Sequence, residues 1–365
     1  MTFKEKISHI PYSTGGITIG TIGIANAFIL MLRTFHVDLD NSYKIIVPIV
    51  ESIAIITTLY YIVLLTLKFI YGFNKIKRDI RNPYLSGFLG VIFLSFISIS
   101  NAFAIIFNSL VTNNPTLLYN LLIVPNIINV IMILAQLVFL GIFLYYVVRK
   151  NIIERNLQIY GSWFIPLVGF SVCVAFVNYL NDIVPILFFQ IIWILAFTLY
   201  CIFFPIGLYR FMFRGHKNAQ HIPSMAIIAS PAFMLVGGFV AAFNPNRAIT
   251  SVLNNQSAYE AIILILFMIS SIGLGFLLLV FIRSIKNWSN NLRFASFTFP
   301  MALTASGLFI FASSYFSSEA TKVSFYTLAT LGTLIFSIGL SMAIFMNIRI
   351  SYYIYKLLRY GQYSD

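Results

Sequence analysis

The 365-residue chain holds only ten acidic residues, and of these only Glu51, in VPIVESIAIITTL, stands inside an apolar stretch. A carboxyl group at membrane depth is a functional candidate by default. Two readings of Glu51 follow: a proton-coupling group, or an interfacial residue that reaches headgroups or caps a neighbouring helix. The four histidines, His9, His36, His216 and His221, fall in connections or at the ends of apolar runs. No pair of them has the spacing of a metal site, and the zinc-protease, phosphate-loop and nucleophile-elbow patterns do not occur. No metal and no cofactor is expected. An enzyme acting on lipids or isoprenoids would need clustered His, Asp or Arg at one interface, and the chain offers no such cluster, so it reads as a non-enzyme. Cys173 and Cys201 both lie in apolar runs and read as small buried hydrophobes.

Neutral polar groups remain. Asn26, Asn101, Asn178 and Ser306 interrupt long apolar segments, and each suits either a pore wall or a helix–helix hydrogen bond. The segment ASFTFPMALTASG, residues 295–307, sets a large ring, Phe299, directly before Pro300, with small residues crowded after it. Taken alone, Phe299 is a packed core aromatic or the closure of a passage. A proline inside a helix removes one backbone hydrogen bond and bends the chain. Pro166 in GSWFIPLVGF and Pro231 in SMAIIASPAFMLVGGF precede Pro300 at intervals of 65 and 69 residues, which suggests a repeated unit.

These residues need elements to carry them. The sequence is 60% hydrophobic and 9% charged, against about 25% charged in a soluble domain. Repeated apolar runs of roughly 20 residues read as membrane spans. The pattern predicts ten, over 11–32, 45–71, 84–108, 117–148, 162–180, 184–209, 222–243, 258–284, 293–316 and 323–348, in a single polytopic domain, residues 1–365, with no soluble part. The first run carries Gly15, Gly16, Gly20 and Gly23 and lacks a cleavage pattern, so it reads as a span and not as a signal peptide. The fold class is all-α, a multi-pass protein of a cell membrane.

The net charge of +13 marks topology here, not nucleic acid. One set of connections holds only Arg33, Lys44, Arg247 and Lys322, while the termini and the other set hold the remaining Lys and Arg. Positive charge favours the cytoplasmic side, so both termini are expected inside. Arg293, at the inner end of the ninth span, reads as a membrane anchor or as a vestibule residue that attracts anions. A nearly uncharged midplane with a positive inner mouth suits small inorganic or organic anions.

At IPYSTGGITIGTIGIANAF, NPYLSGFLGVIFLSF, GSWFIPLVGF, SMAIIASPAFMLVGGF and WSNNLRFASFTFPMALTASG, the chain resembles the tellurite-resistance/dicarboxylate transporter family. That family includes plant slow-type anion channels, bacterial tellurite-resistance proteins, fungal malate permeases and sulfite exporters. The resemblance covers nearly the whole chain and implies five quasi-symmetric helical hairpins, with odd helices lining a central pore and even helices outside. It also implies a homotrimer with one pore per subunit and proline-kinked pore helices, here at Pro166, Pro231 and Pro300. A phenylalanine gate falls at Phe299. Where relatives often carry proline in the first and third helices, this sequence has Thr18 and Phe93. Thr18 then lines the pore, and Phe93 forms a second constriction. Two transport modes stay open at this point: a gated anion channel, or a proton-coupled malate carrier or sulfite/tellurite exporter.

Overall fold

The computed structural model describes residues 2–35, 42–149, 159–180, 183–213, 219–244, 255–286, 292–315 and 322–361. Lys150, Arg155, Arg214, Lys217 and Arg247, which enter the charge count, lie outside the described residues, as do His36 and His216. Every element among the described residues is helical. Among the described residues, ten helices are long and apolar enough to cross a membrane. Numbered in chain order, spans 1 to 5 are Ser13–Thr34, Lys44–Tyr71, Leu85–Leu110, Pro115–Val148 and Gly161–Tyr179. Spans 6 to 10 are Ile186–Phe213, His221–Ala242, Gln256–Lys286, Leu292–Ser314 and Lys322–Tyr360.

Local chemistry starts several of them. Asn114 caps span 4 by accepting from the Leu117 amide, with Pro115 in the first turn, where its missing N–H costs no bond. Asn82 accepts from the amides of Tyr84 and Leu85 ahead of span 3. Asn255 does the same for Ser257 and Ala258 ahead of span 8. A short helix, Phe3–Ser8, precedes span 1 and is capped reciprocally by Thr2 and Glu5. It lies against the far end of span 10, where Lys6 Nζ donates to the Leu358 carbonyl at 2.7 Å. Both described ends of the chain therefore share one face of the bundle, called here the terminal face.

Odd and even spans occupy different places. Buried residues make up 56–94% of the most apolar stretch of each odd span and 33–39% of each even one. The odd spans are the inner ones. Span 1 packs on span 3, span 3 on span 5, span 5 on span 7, span 7 on span 9, and span 9 returns to span 1. The ring is closed. Each even span lies outside it, against its own hairpin partner.

Two close approaches hold the ring near the terminal face. A Cβ on Gly87 of span 3 would overlap Ser162 of span 5, and one on Gly161 of span 5 would overlap the carbonyl of Ser224 in span 7. Only glycine lets these backbones meet.

The two layers also differ in regularity, span 1 apart, which is a continuous α-helix over Ser13–Thr34. Spans 2, 6, 8 and 10 are continuous α-helices, even though Pro48 and Pro205 stand inside two of them. Span 4 is continuous to Phe143 across Pro125 and ends in a π-helical turn. Span 3 is interrupted at Gly90. Span 5 alternates 3₁₀ and α segments. Span 7 runs 3₁₀ over Ala219–Ile228 and α over Ser230–Ala242, and span 9 runs 3₁₀ over Leu292–Phe297 and α over Thr298–Tyr315. Pro231 and Pro300 thus sit in the first turn of a new α segment. The break lies just before them, so these prolines begin helices instead of bending continuous ones. Pro166 lies within the short segment Phe164–Val168.

Gly161→Ala is expected to destabilise the bundle by about 1–3 kcal/mol, the usual cost of overpacking. Gly275→Ala on span 8, with open space around it, is the matched control. Thermal unfolding of the purified protein checks both, and equal melting temperatures would remove the close-packed ring from the account.

Candidate functional site

Inside the ring lies a cavity of about 290 Å³. Span 1 contributes Ile19, Gly23, Asn26 and Arg33; span 3 contributes Ser98 and Ile105. Spans 5 and 7 add Asn178, Tyr179, Phe233 and Gly237, and span 9 adds Phe299, Leu303, Ser306 and Ile310. All five odd spans take part and no even span does. Asn178 and Arg33 are exposed, so the cavity reaches the face opposite the termini.

A second, much smaller space of about 20 Å³ lies on the terminal side. Its walls include Gly16, Phe88, Ile165, Ile227 and Ala295, again one residue or more from each odd span. Ile19 and Phe299 line both spaces. The Phe299 ring therefore stands between a wide chamber and a narrow apolar neck.

The backbone next to that ring is fixed from span 1. Thr298 Oγ1 donates to the Ala295 carbonyl at 2.8 Å and reaches the Gly16 carbonyl at 3.4 Å. A Cβ on Gly20 would come within 2.6 Å of Thr298 Cβ and 3.1 Å of the Phe299 amide. Glycine at position 20 is what allows span 9 to begin its α segment this close to span 1.

A family model described as voltage-dependent anion channel matches residues 9–349. The chain belongs to that family. Among curated proteins none matches. The voltage-dependent anion channel family is the tellurite-resistance/dicarboxylate transporter family of the sequence resemblance. Membership makes the protein a multi-pass member of a family that carries anions across membranes.

Against this family background, the site residues expected from the sequence separate into two groups. Asn26, Asn178, Ser306 and Phe299 meet at the cavity. Thr18 lines neither space; it is buried, and its hydroxyl donates to the Thr14 carbonyl at 3.3 Å. Phe93 also lines neither, and its ring centroid lies 6.0 Å from that of Phe139 on span 4. On span 3 the residues that line the two spaces, Phe88, Val91, Leu94, Ser98 and Ile105, recur at the three-, four- and seven-residue spacing of one helix face. Phe93 is two positions out of step with Val91 and turns to the outer layer. Asn101 accepts from Asn129 Nδ2 at 2.9 Å, which is the helix–helix bond and not a pore wall.

Glu51 is 0% exposed, and among the described residues neither carboxylate oxygen has a hydrogen-bond partner. It shares a helix face with Ala54 and Ile55, which pack against Ile22 and Ala25 of span 1 and Ala102 and Ile106 of span 3. It does not line the cavity.

Sequence reasoning passed over Arg33 as a loop charge. The signal was present: Gly16, Ile19, Gly23, Asn26, Leu30 and Arg33 follow a single helical stripe, and all six line the two spaces. Near the starts of spans 3, 5 and 7, Tyr84 has its ring 3.9 Å from the imidazole of His221 and 5.5 Å from Tyr160. The Arg293 guanidinium lies 5.6 Å from the Tyr84 ring. Burial raises the Tyr160 hydroxyl above its usual range, and Arg210 works against that rise. The hydroxyl stays protonated near neutral pH.

Among the described residues no three His, Cys, Asp or Glu side chains gather at metal-binding distance. Cys173 is buried and Cys201 exposed, both free.

With both cysteines replaced, a single cysteine at Ser306 is expected to react with a membrane-impermeant thiol reagent from the face opposite the termini. Equal modification from the terminal face would show that Phe299 does not separate the two spaces.

Proposed function

We propose that the protein conducts small anions along the axis enclosed by the five odd spans, with the Phe299 ring as the gate. The observation that carries this reading is that Phe299 borders both the 290 Å³ chamber and the narrow neck beyond it. An apolar constriction of this kind gates by excluding water, because an ion cannot shed its hydration there without compensation. Passage requires the ring to rotate away from the axis. Fixing the backbone at Thr298 and Gly20 leaves that side chain as the moving part. Pro231 and Pro300 start the α segments that form the chamber walls, and Pro166 follows Ile165, which lines the neck.

In this reading the terminal face is cytoplasmic, in a cell membrane, and Arg293 belongs to a positive inner mouth that raises local anion concentration. The family resemblance supports a homotrimer in which each subunit keeps its own conduit.

Phe299→Ala is the direct test. Anion flux in liposomes is expected to rise at least tenfold over the parent protein. An unchanged flux would take Phe299 out of the gate.

Glu51 favours a second reading, a proton-coupled carrier of dicarboxylates such as malate, or an exporter of sulfite or tellurite. A buried carboxyl group without a hydrogen-bond partner among the described residues suits the uptake and release of a proton that coupling needs. Spans 1 and 3, which pack against it, hold no charged side chain other than Arg33. Glu51→Gln is then expected to abolish the pH dependence of transport. Transport that keeps its full pH dependence in that variant would count against coupling through Glu51.

A further inference from the structure

The chamber beyond Phe299 carries more chemistry than a water-filled passage requires. Arg33 is the one charged side chain among its described lining residues, and it stands at the mouth. Its guanidinium lies 6.0 Å from the ring centroid of Tyr179, a cation–π distance that keeps the charge at the edge of the cavity. The Asn178 amide is the neighbouring polar group. The walls are otherwise mostly hydrocarbon, with Ile29, Leu30, Ile105, Val172, Val240 and Ile310, and Ser98, Ser313 and Ser314 add hydroxyls. Asn26, two helical turns below Arg33 on the same stripe, and Ser306 are polar groups at depth.

We infer that this chamber is a binding site for a monovalent organic acid, its carboxylate on Arg33 and its short hydrocarbon body against the apolar walls. The inference rests on the conduit reading for its transport meaning and adds the class of anion that the conduit selects.

Three physical points lead to it. A guanidinium presents a planar fork that matches a carboxylate in two parallel hydrogen bonds, a geometry that a spherical halide cannot use. Hydrocarbon walls reward an apolar body by removing it from water, whereas a bare inorganic anion loses hydration against them and gains nothing. A dicarboxylate would leave its second charge in the apolar part of the chamber with no cation to meet it. At about 290 Å³, the space falls near the lower end of small-ligand pockets, roughly 300–1,000 Å³. It suits a compact acid. Asn26 and Ser306 can take one hydroxyl or oxo substituent along the body.

Saturation-transfer NMR on the full-length purified protein tests this, with acetate, butyrate, malate and chloride as probes. Butyrate is expected to bind saturably, at least fivefold more tightly than acetate or malate, and chloride to displace it poorly. Arg33→Gln should weaken butyrate at least tenfold, and Arg33→Lys should restore part of that loss. Ile310→Thr should narrow the gap between butyrate and acetate without abolishing either. Arg33 is exposed, so its variants should fold as the parent does, and unchanged melting temperatures confirm it. Equal affinity for malate and butyrate, or an Arg33→Gln variant that binds as the parent, would overturn the inference.

The binding measurement needs no permeation. If Phe299→Ala leaves flux unchanged while butyrate still depends on Arg33, the gate fails and the binding site stands. If flux rises and butyrate does not bind, the reverse holds.

Discussion

A backbone carbonyl or amide left unpaired in hydrocarbon costs several kcal/mol, and that constraint organises this bundle. Four of the five inner spans, 3, 5, 7 and 9, are broken while span 1 and the outer spans are not, and the outer layer supplies donors to the inner one. Gln136 of span 4 donates to the Ile165 carbonyl at 2.9 Å, Trp193 of span 6 to Leu235 at 2.8 Å, and Gln190 of span 6 to Ala242 at 2.9 Å. Tyr200, also of span 6, reaches the Ile228 carbonyl at 3.2 Å, beside the break in span 7. The break itself is served locally as well. Pro231 has no N–H for the Ile227 carbonyl, and Ser230 Oγ donates to that carbonyl at 2.9 Å. Irregular backbone can therefore exist at membrane depth because it is enclosed by protein.

The same arrangement explains why the axis carries so little charge. Bent inner helices separate enough to leave a chamber, and glycine contacts such as Gly161 with Ser224 draw them together again near the terminal face. A wide space and a narrow neck follow from one set of breaks. Phe299 sits where the two meet because Gly20 and Thr298 fix the start of the α segment in span 9. Gly307, two turns on, admits Phe233 of span 7 so closely that a Cβ there would lie 2.8 Å from Phe233 Cβ. The polar inventory of the chamber is amides, hydroxyls and one guanidinium at the rim.

Much of this was legible in the sequence. Apolar runs separated by short polar connections state ten helices, because only helices of that length satisfy their own backbone across a bilayer. The motif residues around SPAF and FTFPM pointed to the family. Asn26, Asn178 and Ser306 were selected as polar interruptions of apolar helices, and all three reach the cavity. Asn101, selected on the same ground, bonds instead to a neighbouring helix. The two outcomes cannot be told apart from one helix, since residue type is the same and only rotation about the helix axis differs.

What the sequence by itself determined is the number of spans, their all-helical character and the places where helix is hard to continue. Which places break was decided by tertiary structure. Pro48, Pro125 and Pro205 lie inside unbroken outer helices, while Pro231 and Pro300 follow breaks in inner ones. The outer helices press on the ring from one side, and a mild bend suffices there. An inner helix must meet two ring neighbours closely at one end and stand clear of the axis at the other. Orientation was decided in the same way. Phe93 and Phe299 are both rings expected at the axis, yet packing turned one outward to Phe139 and left the other between two cavities. Glu51 shows the limit most plainly. Its depth is written in the chain, but its lack of a hydrogen-bond partner among the described residues appears only when spans 1 and 3 close around it.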